Sequence, residues 1–349
     1  MREVSFIMSS EMLEVFKTMR RLRMPSMQDL AKRYRECDAG VIGIGDNGME
    51  AVDHLMKSGF KNVEYLVLHR DAKKLRQTKA DAIALEDDSW KGIEGWMTVP
   101  IEDYPISYQK FYFYCDLILQ GERPAFVLAD FSESLGRKTA PAAVREESLF
   151  PYAGKIAVVH VPHIETRSAG KKATTEDSDL KWCLQSLGEH ARVVIAMGDD
   201  ASAALGTAAV NAVAKRQSDF VGDLLLALHG DEEMRLSWQE VRAFLSTGRL
   251  SRWGNLWQAW SSEAADVRSA MADVQRVLSY GGALGAAKRV FVMVTGKEGE
   301  LSLSAVQKAM EELSALLDKE AEVLLHVNSE KEFDAGVRIN MAVQVERGC

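Results

Sequence analysis

Gly43, Gly45 and Gly48 stand at the spacing G-x-G-x-x-G in VIGIGDNGMEAV (residues 41–52), immediately after a β-branched apolar run. A strand, a glycine turn and a helix start in that order bring backbone close to a phosphate, which the first helical N–H groups and the helix dipole attract. Asn47 shares this turn, but so does Asp46, which places negative charge where the anion would sit. Alone, the fingerprint suggests a dinucleotide-dependent oxidoreductase. The next strand ends LVLHRDAKKL, and Arg70 would then meet a 2′-phosphate. His160, His163 and Glu165 form an HxxH-and-carboxylate cluster at a strand end. Zinc is one reading of it; incidental placement on a loop is the favoured one, so no metal is expected. Ser132 and Ser134 lie near no identifiable His and Asp partners, which leaves a hydrolase triad unsupported.

The elements that would position these groups alternate in type. Candidate strands at 40–44, 63–69, 125–129, 156–161 and 192–197 are separated by helical or mixed stretches, which implies a mostly parallel sheet covered on both faces. Residues 201–228 read as one long helix, the bridge between two domains. Trp253, Trp257 and Trp260 follow at i, i+4 and i+7, one face of a predicted helix. Core burial is the default for such a stripe, and a protein-binding face is the alternative. A strand at 289–296, a helix from about 304 to 319, and the runs AEVLLHVN and VRINMAVQVE close the chain as a smaller α+β layer. Upstream, residues 10–37 read as two short helices broken at Pro25, with Met12, Val15, Phe16 and Met19 apolar and Arg20, Arg21 and Arg23 opposite. Packing on the body is their favoured role, with a membrane-surface or partner helix as the alternative.

Bulk properties narrow the class. At 349 residues the chain exceeds what one core usually supports, so two domains are expected. A net charge of −8 argues against a general nucleic-acid or anionic-membrane surface. No apolar run approaches the roughly 20 residues that span a bilayer, and the N-terminus lacks signal-peptide patterning. Four scattered cysteines without a CxxC pair read as reduced thiols, and the expected location is cytoplasmic.

Residues 40–81, GVIGIGDNGMEAVDHLMKSGFKNVEYLVLHRDAKKLRQTKAD, resemble the opening of FtsZ, the bacterial tubulin-like cell-division GTPase. The resemblance returns in KIAVVHVPHIETRSAGKKA (155–173) and, closely, in VTGKEGELSLSAV and AEVLLHVNSEKEFDAGVRINMAVQV, which look like the FtsZ C-terminal domain. It implies an α/β fold of the FtsZ/tubulin type: a helical extension at 1–38, a Rossmann-like, GTPase-like parallel-sheet domain at 39–200, a central helix at 201–228 and a smaller α+β domain at 229–349.

On that resemblance, the phosphate-wrapping loop of the family is Gly-rich, whereas here 132–138 reads SESLGRK and only Gly136 remains. Leu135 and Glu133 add Cβ atoms where backbone should press on phosphate. Asp130 and Glu133, with Asp46 and Glu50 of the first loop, bring carboxylates toward a triphosphate. A like-charge contact at ~4 Å and surface-like dielectric costs on the order of 4 kcal/mol, roughly three decades of affinity. Arg137 and Lys138 would partly offset this by gripping an anion; a solvated loop face is the favoured reading of both. The remnant pocket implied is Gly43, Gly45, Asn47, Gly48, Gly136, Arg137, Lys138 and Glu165, the last matching a ribose-contacting Glu, with Lys171 or Lys172 as its basic partner. The loop that completes hydrolysis in the family carries Asn-x-Asp-x-x-Asp; here those positions are Arg235, Ser237 and Glu240, so a carboxylate pair has become one. The resemblance therefore implies a filament-forming or partner-binding cytoskeletal scaffold with weak or lost GTP binding and hydrolysis. No cofactor is expected, GTP or GDP being the one to test. The partners implied are a second copy or another cytoskeletal protein, with no nucleic acid, no small-molecule substrate, and membrane contact only indirect or through the N-terminal helices. An active GTPase with a modified phosphate loop is the runner-up.

Overall fold

The computed structural model describes residues 37–86, 98–100, 115, 118–119, 122–144, 154–162, 175–198, 213–229, 235–246, 256–280, 282–331, 333–334 and 336–345. The expected helices within 10–36 lie outside these residues, as do residues 201–212 of the expected long helix, Trp253, His163, Glu165, Lys171 and Lys172.

In chain order the elements are β1 (Ala39–Ile44), α1 (Gly45–Lys57), β2 (Val63–His69), α2 (Ala72–Leu75), β3 (Asp81–Glu86), β4 (Thr98–Pro100), β5 (Pro124–Asp130), α3 (Ser134–Val144), β6 (Gly154–Val161), α4 (Thr175–His190) and β7 (Val193–Gly198). There follow α5 (Val213–His229), α6 (Trp238–Ser246), β8 (Leu256–Ala264), α7 (Val267–Tyr280), β9 (Ala287–Lys297), α8 (Leu303–Ser314), β10 (Glu322–Glu330) and β11 (Val337–Val345). The five strands expected in the first half all form, with ends shifted by at most two residues. All strands belong to one sheet, ordered β10-β9-β11-β8-β7-β6-β5-β1-β2-β3-β4. From β7 to β4 the pairing is parallel, whereas β11 runs antiparallel to both β8 and β9.

Strand alternation explains how this sheet is covered. On β1, Ile42 and Ile44 enter a core shared with α3 and α4, while Val41 enters the opposite core with α1 and α5. The second core continues without a break onto Trp257, Phe291, Met293 and Ala342 of the C-terminal strands. The two parts of the chain are joined through the sheet as well, because β7 pairs with β8 at Ile195 and Trp257.

Two local expectations are corrected. Trp257 and Trp260 lie on β8, not on a helix. Separated by three residues on a strand of period two, they point to opposite faces: Trp257 is buried in the α1/α5 core and donates its indole N–H to Leu245 O at 3.1 Å, whereas Trp260 packs among α7, β9 and β11. The run SESLGRK is mostly not a loop, because α3 begins at Ser134 and carries Gly136, Arg137 and Lys138 on its first turns.

Candidate functional site

β1 lies between β5 and β2, and α1, which follows β1, covers one face of the sheet while α3, which follows β5, covers the other. The crevice beyond the carboxyl ends of β1 and β5 is thus the switch point where open α/β sheets place their ligands. α1 starts there at Gly45, directly after β1, and its N-cap residue Ile44 has no side chain able to accept from the first amides. The N–H groups left over at a helix start need an acceptor.

Glu133, in the turn between β5 and α3, supplies it. Its carboxylate accepts from Asp46 N–H at 3.1 Å through Oε2, and from Asn47 N–H at 3.3 Å through Oε1, which also takes the Asn47 side-chain amide at 3.3 Å. The negative group expected to repel a phosphate here occupies the amides that would bind one. Gly45 fits the arrangement by conformation and by size: φ is +76°, and an added Cβ would stand 2.0 Å from Glu133 Oε2.

Other glycines of the fingerprint serve packing. A Cβ on Gly43 would stand 2.3 Å from Gly48 O, and one on Gly48 2.7 Å from Leu128 O, so the pair sets the approach of α1 to β1 and β5. Gly136 plays the same part for α3, with its would-be Cβ 2.1 Å from Asp130 O.

Each remaining carboxylate is answered by a partner within the chain. Asp130 shares a 2.7 Å hydrogen bond with His160 Nδ1, accepts from Ser132 N–H at 2.7 Å, and takes the Asn47 side-chain amide at 2.5 Å. Asp130 and His160 are register partners at the ends of adjacent strands. Burial pushes the Asp130 carboxyl up, but His160 and the Ser132 amide outweigh it and hold the group below the usual carboxylate range. Asp46 pairs with Lys74 Nζ and, at 3.0 Å, with His69 Nε2; these overcome burial and lower its pKa. Glu133 differs. Burial raises its pKa, the donated amides offset only part of this, and the charges of Asp130 and Asp46 raise it further. Glu50, expected at the same pocket, is exposed and lies 3.8 Å from His54, one turn along α1.

The structure therefore gathers Gly43, Gly45, Asn47, Gly48 and Gly136 around one crevice, with Glu133 and Asp130 inside it. Lys138 is exposed and Arg137 half-buried on α3, and Glu165 lies outside the described residues. Among the described residues no group of three His, Cys, Asp or Glu side chains could hold a metal ion. His160 of the HxxH pattern is the buried partner of Asp130, while His163 and Glu165 lie outside the described residues.

Arg235, Ser237 and Glu240 lie away from this crevice in sequence and act as a helix start. Ser237 Oγ accepts from Glu240 N–H at 3.1 Å while Glu240 Oε2 accepts from Ser237 N–H at 3.0 Å and from its hydroxyl at 2.7 Å. This is a capping box on α6, and the signal was visible as S-x-x-E ahead of the apolar Val241 and Leu245. The hydrogen bonds from Ser237 hold the Glu240 carboxyl below its ordinary range. Arg235 is exposed just upstream.

No protein-family model matches the sequence, and no curated relative does either. Solved structures do match. An empty FtsZ dimer from M. jannaschii is similar with a TM-score of 0.67 over 97% of this chain and 92% of that one, at 16% identity. A CetZ from Methanosaeta thermophila gives a TM-score of 0.59 over 89% and 87% of the two chains, also at 16% identity. CetZ2 from Haloferax volcanii, in a GTPγS-bound protofilament, gives 0.57 over 89% and 94%, again at 16%. The chain has the FtsZ/tubulin fold, and its structural neighbours include FtsZ and CetZ.

Proposed function

We propose that this chain is a cytoskeletal scaffold of the FtsZ and CetZ kind that associates with copies of itself, or with another cytoskeletal protein, without efficient GTP binding or turnover. The observation that carries the reading is the Glu133 carboxylate on the first amides of α1, where it fills the acceptor role of a phosphate. Self-association is supported by the likeness to an FtsZ dimer and to a CetZ2 protofilament. Loss of turnover is supported by α6, whose Glu240 is engaged in capping and has Ser237 and Arg235 where the family resemblance requires Asp and Asn. General-base or water-orienting groups typically contribute ~10²–10⁴-fold.

Sedimentation and negative-stain electron microscopy, with and without GTP and Mg²⁺, test the proposal alongside phosphate release. The expected result is assembly that does not depend on nucleotide and phosphate release at background. Assembly that appears only with GTP and decays as GTP is consumed would overturn it in favour of an active polymerising GTPase. A thermal shift with NADPH, absent with GTP, would favour the oxidoreductase reading instead.

A further inference from the structure

We propose that Arg338 and the carboxylates around it form a proton-sensitive clamp that fastens α5 to the C-terminal strands. The guanidinium of Arg338, on β11, grips Asp223 of α5 with two donors: Nη2 to Oδ1 at 2.5 Å and Nε to Oδ2 at 3.0 Å. Nη1 donates to Asp219 Oδ1 at 3.2 Å and to Glu263 Oε1, on β8, at 3.3 Å. Lys215 Nζ bridges Asp219 and Glu263 at 2.7 Å each. Two amides complete the joint: Asn340 Nδ2 donates to Asp223 Oδ2 at 2.6 Å, and Asn328 Nδ2 to Asp223 O at 3.1 Å. Glu330, on β10, is the loosest member, 3.7 Å from Arg338 Nη2.

Four carboxylates thus face two cations, so the cluster carries two surplus negative charges when every group is ionised. Screening by water is limited: the Asp223 side chain is 0% exposed and that of Arg338 12%. A proton is the simplest means of relieving the surplus, and Glu330 is the member with the least to lose. Burial pushes its carboxyl up, Arg338 offsets only part of this, and the charges of Asp223 and Asp219 add to the rise. Burial also leaves Asp219 raised, despite Arg338 and Lys215, whereas those two cations hold Glu263 below its ordinary range against burial. His326, the other titratable group of β10 facing Asp223, is kept neutral by burial, which lowers its pKa. Arg216 of α5 is turned aside, 4.4 Å above the Trp260 ring, and Arg338 itself lies 5.0 Å from the Phe333 ring.

Glu330 and Asp219 have raised folded pKa values, so their contribution is complete below the ordinary carboxylate range and is lost as pH rises through the folded values. His326 has a lowered value, so its contribution is present above the ordinary histidine range and lost as pH falls. The clamp therefore loosens through the carboxylates as pH rises above their ordinary range, and through the imidazole as pH falls below the ordinary histidine range. Its consequence reaches the crevice, because Gln217, two residues before Asp219, donates to Ala129 O at 2.8 Å and Val158 O at 3.0 Å. Ala129 precedes Asp130, so α5 couples the strand presenting Asp130 to the clamp.

Hydrogen exchange of the full chain, with His326→Gln in every sample to remove the opposing imidazole and with correction for the intrinsic pH dependence, tests this between about pH 4 and about pH 6.5, the interval above ordinary carboxylates. A single linked proton changes protection by up to about tenfold per pH unit. Protection of the α5 amides is expected to fall with rising pH in this background, while adding Glu330→Gln keeps the acid-side protection throughout. Asp219→Asn, which removes a different surplus charge, is expected to flatten the slope independently. Amides of α8, outside the cluster, should show no matching change. Protection of α5 that is flat across this range with His326→Gln alone, an equal fall in α8, or unchanged slopes on adding either carboxylate substitution would overturn the clamp.

Discussion

Glu133 does two things a bound phosphate would otherwise do: it accepts from the amides of Asp46 and Asn47, and it sets negative charge at the positive end of α1. Its raised pKa means that the fold disfavours the ionised form relative to the unfolded chain, so that part of its stability is present below the ordinary glutamate range and lost as pH rises through the folded value. Glu133→Gln keeps one acceptor and removes the charge. Its melting temperature is expected to gain on that of the wild type as pH rises from about 5 to about 7 in parallel melts, the interval just above an ordinary glutamate. Equal slopes would mean that Glu133 does not carry its charge in this crevice. Gly45→Ala makes a sharper case, since a Cβ would meet both the positive φ and the Glu133 carboxylate. A loss of about 1–2 kcal/mol is expected from the backbone alone, read by denaturant unfolding. At this scale the sequence showed which residue types crowd the turn, but not that they are mutually satisfied. Asp130 and His160 are 30 residues apart and meet only because β5 and β6 run in parallel register.

Helix starts and strand faces, one level up, decide what the motifs mean. α1 has no side-chain cap of its own and borrows one from the β5–α3 turn, whereas α6 caps itself through Ser237 and Glu240. Ser237→Ala is expected to cost about 1 kcal/mol of stability in chemical denaturation, with phosphate release unchanged at background; a further drop in a measurable turnover would return these residues to catalysis. Trp257 marks the other limit of pattern reading. Three tryptophans at i, i+4 and i+7 fit a helix face, yet β8 sets Trp257 and Trp260 on opposite sides of the sheet. Spacing in a short aromatic run does not separate period two from period 3.6, because the sheet partners that choose between them, β7 and β11, lie far away in the chain. Trp257→Ala is expected to cost about 3–5 kcal/mol, measured by urea unfolding, as befits a side chain at the join of the two halves.

For the whole molecule, the parallel half of the sheet was legible because buried parallel strands are continuous apolar runs set apart by helices, and β1, β2, β5, β6 and β7 all fall within two residues of where such runs suggest. The likeness to FtsZ and CetZ extends over most of the chain while identity is 16%, so the fold is shared where few side chains are. Gly43, Gly48 and Gly136 persist for backbone approach, which is a requirement of the sheet and its helices and carries no implication for phosphate. No helix among the described residues is long and apolar enough to cross a membrane. In the proposed function, the chain's own carboxylate holds the seat a phosphate would use. Titration calorimetry of GTP and Mg²⁺ into the wild-type chain tests it most directly: no saturable heat up to millimolar nucleotide is predicted, and stoichiometric binding in the micromolar range would contradict it.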